Sequence, residues 1–403
     1  MSGNTGPTDA GLRRARIAIS AVFAVHGAVT GNFATRIPWL QEHVGIGSGL
    51  LGLALVCPAI GASLAMPLAG RVGHRLGTRA ALRVLLALWC ASLVLPALAP
   101  GMIAFCAALA VYGATSGMAD VAMNALGVRT EERLGRSIMS GLHGMWSAGG
   151  LAGSAAGTLA AHAGTDARVH LGIAAGALVL LGTVACQGVL DLRTAAGERP
   201  PPRFALPPRP ALAIGAVGFC AVFAEGASLD WSAVYLRDVI GSAPGVAAAC
   251  TTAFACAMAL ARFAGDAVVR RYGPVLTVRA SGVVAVLGGA LVVASGGPAS
   301  VIAGFGLLGV GVAVVVPLAF AAAGRSGPRP DQAIAGVATI VYSSALVAPA
   351  AIGQIAGATS LVVSFALVTA LATGLVAGAG LLGSPAEPRR SVPLPERTRR
   401  RGP

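Results

Sequence analysis

The stretch from Pro298 to Ala322 reads PASVIAGFGLLGVGVAVVVPLAFAA and contains no charged residue. A helix needs roughly 20 mostly apolar residues to cross the hydrocarbon core of a bilayer, and this run is long enough. In lipid, the backbone amides and carbonyls of a segment must be hydrogen-bonded within that segment, so an isolated open strand is excluded. The stretch therefore predicts one transmembrane helix.

Eleven other apolar runs share this length, and each ends at a turn with a charged residue, a proline or a glycine. Together they predict an all-α membrane protein with twelve transmembrane helices. The first run is not expected to be a signal peptide, because it contains His26 and Asn32 and has no small-residue cleavage site. The twelve runs lie near residues 17–36, 50–69, 80–99, 101–125, 137–161, 169–190, 211–235, 243–264, 275–295, 298–322, 332–356 and 360–383.

The composition of the chain supports a membrane location. Of its 403 residues, 56% are hydrophobic and only 11% are charged, whereas soluble domains carry roughly a quarter of charged residues. Most of the surface therefore faces an apolar medium. The net charge of +14 comes from arginines in short clusters between apolar runs, so a nucleic-acid partner is not expected.

The arginines also predict the orientation, because cytoplasmic loops carry an excess of basic residues. Placing both chain ends in the cytoplasm leaves Arg36, Arg168 and Arg237 outside and the other 26 arginines inside or at the inner border. A charged, proline-rich stretch at 191–210 then divides the chain near its middle. The predicted organisation is a cytoplasmic segment 1–16, a six-helix bundle 17–190, a cytoplasmic linker 191–210, a second six-helix bundle 211–383 and a disordered cytoplasmic tail 384–403.

The two halves of the chain carry traces of an internal repeat. Leu40-Gln-Glu-His-Val-Gly45 matches Leu236-Arg-Asp-Val-Ile-Gly241 at an offset of 196 residues. At the same offset Arg75-Leu-Gly77 falls on Arg271-Tyr-Gly273, and Gly113 falls on Gly309. The repeat predicts two pseudo-symmetric bundles with a cavity between them near the bilayer midplane, as in transporters built from parallel repeats.

The loop Gly70-Arg-Val-Gly-His74-Arg75-Leu-Gly77-Thr-Arg79 resembles the gating loop of the major facilitator superfamily. Glycines permit a tight turn there, and arginines stabilise helix C-termini. His74 stands where that family usually has an acid, so the resemblance implies altered or pH-dependent gating. The second copy of the loop runs from Asp266 to Gly273 and retains Arg271.

A finer resemblance covers nearly the whole chain and links it to bacterial permeases related to the fucose–proton symporter. It is carried by Thr35-Arg36-Ile37-Pro38, by Asp120-Val-Ala-Met-Asn124 and by His143-Gly-Met-Trp-Ser147-Ala-Gly149-Gly150. In that symporter an acid followed four residues later by Asn takes part in proton coupling, and Asp120 and Asn124 match these positions. The sugar-binding acid of the first helix is missing, so fucose itself does not follow. The fifth helix lacks the proline typical of drug antiporters, which counts against an exporter.

Three acids lie within the predicted spans, where a charged carboxylate is costly and usually functional. Asp120 shares a helix face with Tyr112 and Asn124, and the three form a polar stripe. This stripe either lines the cavity or is a hydrogen-bonded contact between helices in which an arginine pairs with Asp120. Glu225 lies deepest and is either a proton carrier or the fixed partner of a polar group such as His26. Asp230 is expected to pair with Arg36. Asp120 and Glu225 are therefore the candidate proton-coupling residues.

The other polar residues of the spans give a candidate substrate site. Arg36 is either a ligand, an outer gate or a headgroup contact. His143 and Trp146 lie on one helix face and suit a sugar ring or aromatic solute, although packing roles are equally open, and Trp231 is either a ligand or an interface anchor. The predicted substrate-binding residues are His26, Asn32, Arg36, Tyr112, Asn124, His143, Trp146 and Trp231.

Several other activities have no support in the sequence. Gly304-Phe-Gly306-Leu-Leu-Gly309 has dinucleotide-fingerprint spacing but lies within an apolar span, where small residues serve helix packing. The seven cysteines lie in apolar runs without metal-ligand spacing. No cofactor, metal or enzymatic activity is expected. The expectation is a monomeric, proton-linked permease for a small solute in a bacterial inner membrane, with a proton-driven exporter or an inactive sensor as alternatives.

Overall fold

The structure is a computed structural model that describes residues 9–135, 138–191, 209–325 and 330–383. These residues form α-helices, two short 3-10 helices and the turns between them. The α-helices are α1 (Asp9–Ala34), α2 (Ile37–Val44), α3 (Ser48–Ala54), α4 (Cys57–Leu76), α5 (Thr78–Ser92), α6 (Met102–Leu134), α7 (Met139–His162), α8 (Ala167–Cys186), α9 (Arg209–Asp238), α10 (Pro244–Ala294), α11 (Pro298–Val312), α12 (Val315–Gly324), α13 (Pro330–Ala358) and α14 (Leu361–Gly378).

Eleven segments of the described residues are long and apolar enough to cross a membrane. Helix α10 supplies two of them, Pro244–Gly265 and Ala267–Ala294, while α3 with α4 and α11 with α12 each supply one. The fifth predicted run, 137–161, forms α7, which is not among these eleven segments: it has 24 residues but a polar composition that includes two histidines and several serines and glycines. The all-α membrane fold is confirmed, and α7 is, over a membrane-length window, the least apolar of the helices that the twelve runs predict.

Some helices extend beyond the apolar runs that predict them. Helix α6 continues to Leu134, nine residues past the end of its apolar run, because the polar residues that follow are compatible with a helix until Gly135 adopts a φ of 62°. Glu131 in this extension accepts hydrogen bonds from the backbone amides of Ile138 (2.6 Å) and Met139 (2.9 Å). It thereby satisfies free amides at the start of α7.

The backbone repeats itself at the offset of 196 residues seen in the sequence. Gly45 and Gly241 have φ angles of 71° and 69°, and Gly77 and Gly273 have φ angles of 80° and 76°. The last pair has ψ angles of 157° and 164°, a conformation essentially restricted to glycine. Both members of each pair therefore form the same turn.

Helix packing repeats at the same offset. A Cβ placed on Gly113 would lie 1.9 Å from the carbonyl oxygen of Pro58, and one on Gly309 would lie 2.7 Å from that of Phe254. Each glycine lets one helix approach the backbone of another.

The predicted linker (apart from Asp191 and from Arg209 and Pro210 of α9) and the predicted tail lie outside the described residues, as do residues 1–8.

The bundle has two ends. At one end, which we call the Gly77 end, Arg79 donates to the carbonyl of Val189 (3.0 Å), and Gly188 and Gly383 lie beside Arg14 and Val275. The first described helix, α1, therefore begins at the Gly77 end, and the last described residues of the chain lie there too. The opposite end carries α2 and the turn at Gly241, and we call it the α2 end.

The two halves meet tightly at the α2 end. A Cβ on Gly52 of α3 would lie 2.6 Å from the Cα of Gly353 of α13. Arg237, at the end of α9, donates to the carbonyl of Pro38 and to Oε1 of Gln41 (2.8 Å). Arg237 and Gln41 are themselves 196 residues apart, so this contact joins equivalent positions of the two repeats and closes the α2 end.

Candidate functional site

An ion pair in the middle of the bundle connects the two halves. Arg262 of α10 contacts Glu225 of α9, with Nη2 3.0 Å and 3.2 Å from the two carboxylate oxygens. The other terminal nitrogen, Nη1, donates to Oγ of Ser147 on α7 (3.0 Å). The side chains of Arg262 and Glu225 keep 23% and 18% of their surface exposed, so the pair is only partly buried.

The ion pair borders a cavity between the halves. The cavity is narrow, with about 20 Å³ of space for the centres of water molecules; a cavity of this size holds about one water. Both halves contribute to its wall: Gly27, Thr30, Gly31, Trp146, Ser147, Gly150 and Ser154 come from the first half, and Glu225, Leu229, Ala255 and Met258 come from the second. A polar solute therefore requires the halves to move apart before it can bind.

Glycines bring α1 and α7 together beside this cavity. Cβ atoms on Gly27 and Gly31 would lie 2.0 Å and 2.1 Å from the carbonyl oxygens of Trp146 and Gly150. Such contacts exclude any side chain at these positions. The polar composition of α7 follows from this place in the bundle, because its residues face α1 and the cavity rather than lipid.

An aromatic cluster lies behind the cavity wall in the first half. Nε1 of Trp146 donates to Nδ1 of His26 (3.1 Å), and the His26 ring lies 5.2 Å from the ring of Trp89. The ring of Tyr112 lies 4.3 Å from Trp89 and 4.7 Å from Phe33. Trp146 and Glu225 are the predicted site residues that line the cavity, and His26 and Tyr112 support the wall from behind.

Asp120 and Asn124 contact each other on α6. Nδ2 of Asn124 donates to a carboxylate oxygen of Asp120 (3.0 Å) and to its backbone carbonyl (2.9 Å). Within the described chain no arginine forms an ion pair with Asp120, so the arginine-held seam considered above is not formed. His143 lies at the start of α7, with its ring exposed and 5.4 Å from that of Phe23.

Asn32 and Arg36 are placed away from the cavity wall. Oδ1 of Asn32 lies 2.9 Å from Nε2 of His170 on α8, and Arg36 donates to the carbonyl of Thr165. Both are buried: Asn32 connects α1 to α8, and Arg36, which lies between α1 and α2, contacts the turn before α8 near the α2 end. Asp166, which begins α8, is held by Arg168, and hydrogen bonds from this guanidinium lower the pKa of the Asp166 carboxyl to about 2.

Asp230 and Trp231 follow Glu225 on α9. Trp231 is fully buried in the core of the second half, and its Nε1 has no hydrogen-bond partner among the described residues. Asp230 has neither a hydrogen bond nor an ion pair with any described residue, so the expected pair with Arg36 is not formed. Its carboxylate interacts electrostatically with Tyr112 of the other half.

The predicted gating loop forms the turn between α4 and α5. Gly77 provides the turn, and Arg79 is bound to the end of α8. Gly70, His74 and Arg75 are exposed on the last turns of α4. In the second copy, the guanidinium of Arg271 lies 5.5 Å from the ring centroid of Tyr272, and the side chain of Asp266 lies outside the described part of the chain.

Arg262 is the site residue that the sequence analysis missed. The sequence pattern places it with the arginines of the inner border, because it lies near the end of its apolar run. Its signal is the distance to the next arginine, Arg270, eight residues or about 12 Å along the helix. An arginine that far inside a membrane span needs an acid, and Glu225 supplies it.

Membrane-length helices in two repeated halves, closed at one end around a cavity that both halves line, define a secondary transporter. The chain belongs to the Major Facilitator Superfamily, whose sequence profile matches residues 19–344. The protein is therefore a multi-pass membrane transporter of a small molecule.

Individual proteins show the same relationship. The chain is 33% identical over 338 residues to the uncharacterized transporter y4wD of Sinorhizobium fredii, covering 83% of this chain and 89% of that relative. Its fold is similar to that of the nucleoside transporter NupG, with a TM-score of 0.70 at 12% identity over 91% of this chain and 98% of that one. It is also similar to a D-xylose-proton symporter, with a TM-score of 0.67 at 13% identity over 91% and 96% of the two chains.

Proposed function

We propose that the protein carries a small, hydroxylated or amphipathic solute across the bilayer by alternating access, coupled to the movement of protons. The observation that carries this proposal is the contact of Arg262 with Glu225 of its own half and with Ser147 of the other half. A change in protonation at Glu225 would alter a bridge between the two halves. The ion pair thus offers a direct link between a proton and the relative position of the halves.

The mechanism follows from the charge balance of this bridge. When Glu225 takes up a proton, it loses the charge that holds Arg262, and the guanidinium becomes free to bind a solute hydroxyl or an anionic group. The nearby indole of Trp146 offers an apolar face for the solute. When the proton leaves, the ion pair forms again and displaces the solute. Asp120, next to Asn124, is the second candidate for proton transfer.

The solute class rests on the chemistry of the wall. The wall is mainly apolar, with the indole of Trp146 and the carboxylate of Glu225 in its lining, a set that suits an amphipathic ring with a few polar groups. Two proteins with this fold, a nucleoside transporter and a D-xylose-proton symporter, support a ring-shaped solute. We also propose that the protein is related to the fucose–proton symporter, on the basis of the sequence motifs described above.

We place the protein as a monomer in a bacterial inner membrane, with both chain ends in the cytoplasm. The arginine distribution supports this orientation. The Gly77 end then faces the cytoplasm and the closed α2 end faces outward. In that orientation His143, whose ring lies 5.4 Å from that of Phe23, is on the cytoplasmic side of the cavity.

The test is uptake by purified protein in liposomes with an imposed pH gradient, using labelled xylose, fucose and uridine as probes. We expect at least one probe to accumulate only while the gradient lasts, and Glu225→Gln to abolish this accumulation. The matched control is Glu132→Gln, which changes an exposed acid outside the cavity. Accumulation that ignores the gradient, or that survives Glu225→Gln at the level of the control, would contradict the assignment of Glu225.

A further inference from the structure

The guanidinium of Arg262 has a third contact, which the proposed function leaves without a role. Its Nε donates to the backbone carbonyl of Ala313 (3.4 Å), which lies between α11 and α12, while Nη1 and Nη2 contact Ser147 and Glu225. The planar guanidinium has N–H donors on all three nitrogens, so it can serve three acceptors at once. Two of these acceptors, the hydroxyl and the carbonyl, do not depend on the charge of Glu225.

The carbonyl of Ala313 is available to Arg262 because of a proline. In a continuous helix the backbone amide of residue 317 would donate to the carbonyl of Ala313, four residues earlier. Pro317 has no amide hydrogen, and its ring collides with that carbonyl in a regular helix. The helix is interrupted here, since α11 ends at Val312 and α12 begins at Val315 within one apolar span. A carbonyl freed inside a membrane needs a donor from a neighbouring element, and Arg262 supplies it.

Helix α10 lies directly against this interruption. A Cβ on Gly265, three residues after Arg262, would lie 2.7 Å from a methyl carbon of Val314. The missing side chain thus lets α10 approach the residues next to Ala313. Ala313 is fully buried, whereas Pro317 is exposed on the surface of the bundle. The effect of the proline on the cavity therefore passes through the backbone rather than through contacts of its ring.

The first half of the chain lacks this arrangement. At the offset of 196 residues Pro317 falls on Val121, and Arg262 falls on Met66. Helix α6, the counterpart of α11 with α12, continues through Val121 without an interruption. The fold that the halves share therefore requires neither the proline nor the arginine, and the second half has both.

We infer that Pro317 is a positioning residue for Arg262, because it frees the Ala313 carbonyl that holds the guanidinium at the cavity when Glu225 takes up a proton. An arginine side chain has many rotamers, and a neutral Glu225 no longer restrains them. The carbonyl does not titrate, so its hydrogen bond to Nε remains. The nitrogen that Glu225 releases, Nη2, then stays beside the cavity and can donate to a solute oxygen. This inference rests on the proposed function, in which Glu225 carries the proton.

The role of the Ala313 carbonyl can be tested without knowing the solute, by a double-mutant cycle on the unfolding temperature in detergent. The cycle combines Pro317→Ala, which restores an amide donor to the helix, with Arg262→Met, which removes the guanidinium. Both changes are made in the wild-type chain and in Glu225→Gln, whose neutral side chain represents the protonated acid. The matched control is Pro298→Ala, an exposed proline at the first position of α11, where a missing amide leaves no helical carbonyl unpaired.

We expect Pro317→Ala to raise the unfolding temperature more in Arg262→Met than in the chain that keeps Arg262. With methionine at 262 the Ala313 carbonyl has lost its donor, and the new amide replaces it; with arginine the carbonyl is already bound. Pro298→Ala should have the same effect in both. Equal effects of Pro317→Ala with and without Arg262 would overturn the inference. A matching elution volume on size exclusion shows that each variant is folded, and the wild-type series decides if Glu225→Gln does not fold.

A transport measurement separates failure of this inference from failure of the proposed function. For the first of xylose, fucose and uridine that wild type accumulates, Pro317→Ala should raise KM several-fold with little change in the maximal rate, and Pro298→Ala should change neither. A purely structural defect would lower the amount of active protein and thus the maximal rate, without raising KM. If wild type accumulates none of the probes, the proposed function fails while the cycle still decides the role of the carbonyl. If Pro317→Ala keeps the wild-type KM, only the inference fails.

Discussion

At the scale of single residues, the central feature is an arginine that serves both halves. Arg262 lies 3.0 Å from a carboxylate oxygen of Glu225 and donates to Ser147 across the cavity. Removing one member of such a pair leaves the other with an uncompensated charge, which costs more than removing both. The pair therefore contributes to stability and is also a candidate site for the protonation change that moves the halves.

We expect Arg262→Gln to lower the free energy of unfolding by about 1 to 3 kcal/mol, because Glu225 then lacks its counter-charge in a partly buried site. The double variant Arg262→Gln with Glu225→Gln should recover part of this loss, giving a coupling energy in a double-mutant cycle. The measurement is thermal unfolding in detergent. Arg271→Gln, at an exposed arginine of the same helix, is the control and should change stability by less than about 0.5 kcal/mol.

Strictly additive effects of the two single substitutions would contradict the pairing.

The same residues show what a sequence reveals at this scale. The sequence predicts that Glu225 lies within a membrane span, because acids are rare in apolar runs and this one is in the middle of its run. The sequence does not predict its partner, because Arg262 lies close to the end of a run, where arginines also mark a membrane border.

At the scale of elements, length and apolarity predict the helices well, but they do not predict how each helix is rotated. Asn32, Arg36 and Trp231 lie on spans that are apolar on nearly all sides, so no hydrophobic face indicates which way a polar residue points. Packing between α1 and α8 places Asn32 and Arg36 at a helix contact. The core of the second half buries Trp231.

Turns between elements were more predictable, because the glycines that form them have a required conformation. Gly77 has a φ of 80° and a ψ of 157° between α4 and α5. We expect Gly77→Ala to cost about 1 to 3 kcal/mol, the range for residues held in such regions. Gly70 lies in helical conformation on α4 with nothing within 4 Å of an added Cβ, so Gly70→Ala is the control.

Gly70→Ala should be neutral or slightly stabilising, because alanine favours a helix more than glycine does. Unfolding temperatures of the two variants in detergent give the comparison. Equal stability of both would show that the turn at Gly77 tolerates a side chain, in conflict with its backbone angles. The equivalent change Gly273→Ala should behave like Gly77→Ala if the two halves are true repeats.

At the scale of the whole molecule, the two halves close on each other through residues without side chains. Gly52 and Gly353 let α3 and α13 touch at the α2 end. We expect Gly52→Val to prevent this closure and to favour a state that is open at the α2 end. The matched control is Gly47→Val in the neighbouring turn, where an added Cβ meets nothing within 4 Å.

The population shift can be measured with Leu229→Cys in the cavity wall of a chain whose native cysteines are replaced by serine. A membrane-impermeant maleimide added from the α2 side should label this cysteine faster in Gly52→Val than in Gly47→Val. Equal labelling rates would mean that the α3 and α13 contact does not control access to the cavity.

The contact between Arg237 and Gln41 has a consequence for the origin of the chain. These residues occupy the same position in the two repeats and meet near the axis that relates them. In a symmetric homodimer of separate half-length polypeptides, identical side chains would face each other there, and two arginines would repel. A single polypeptide that contains both repeats can place a donor at one copy of this position and an acceptor at the other, which two identical half-length chains could not do.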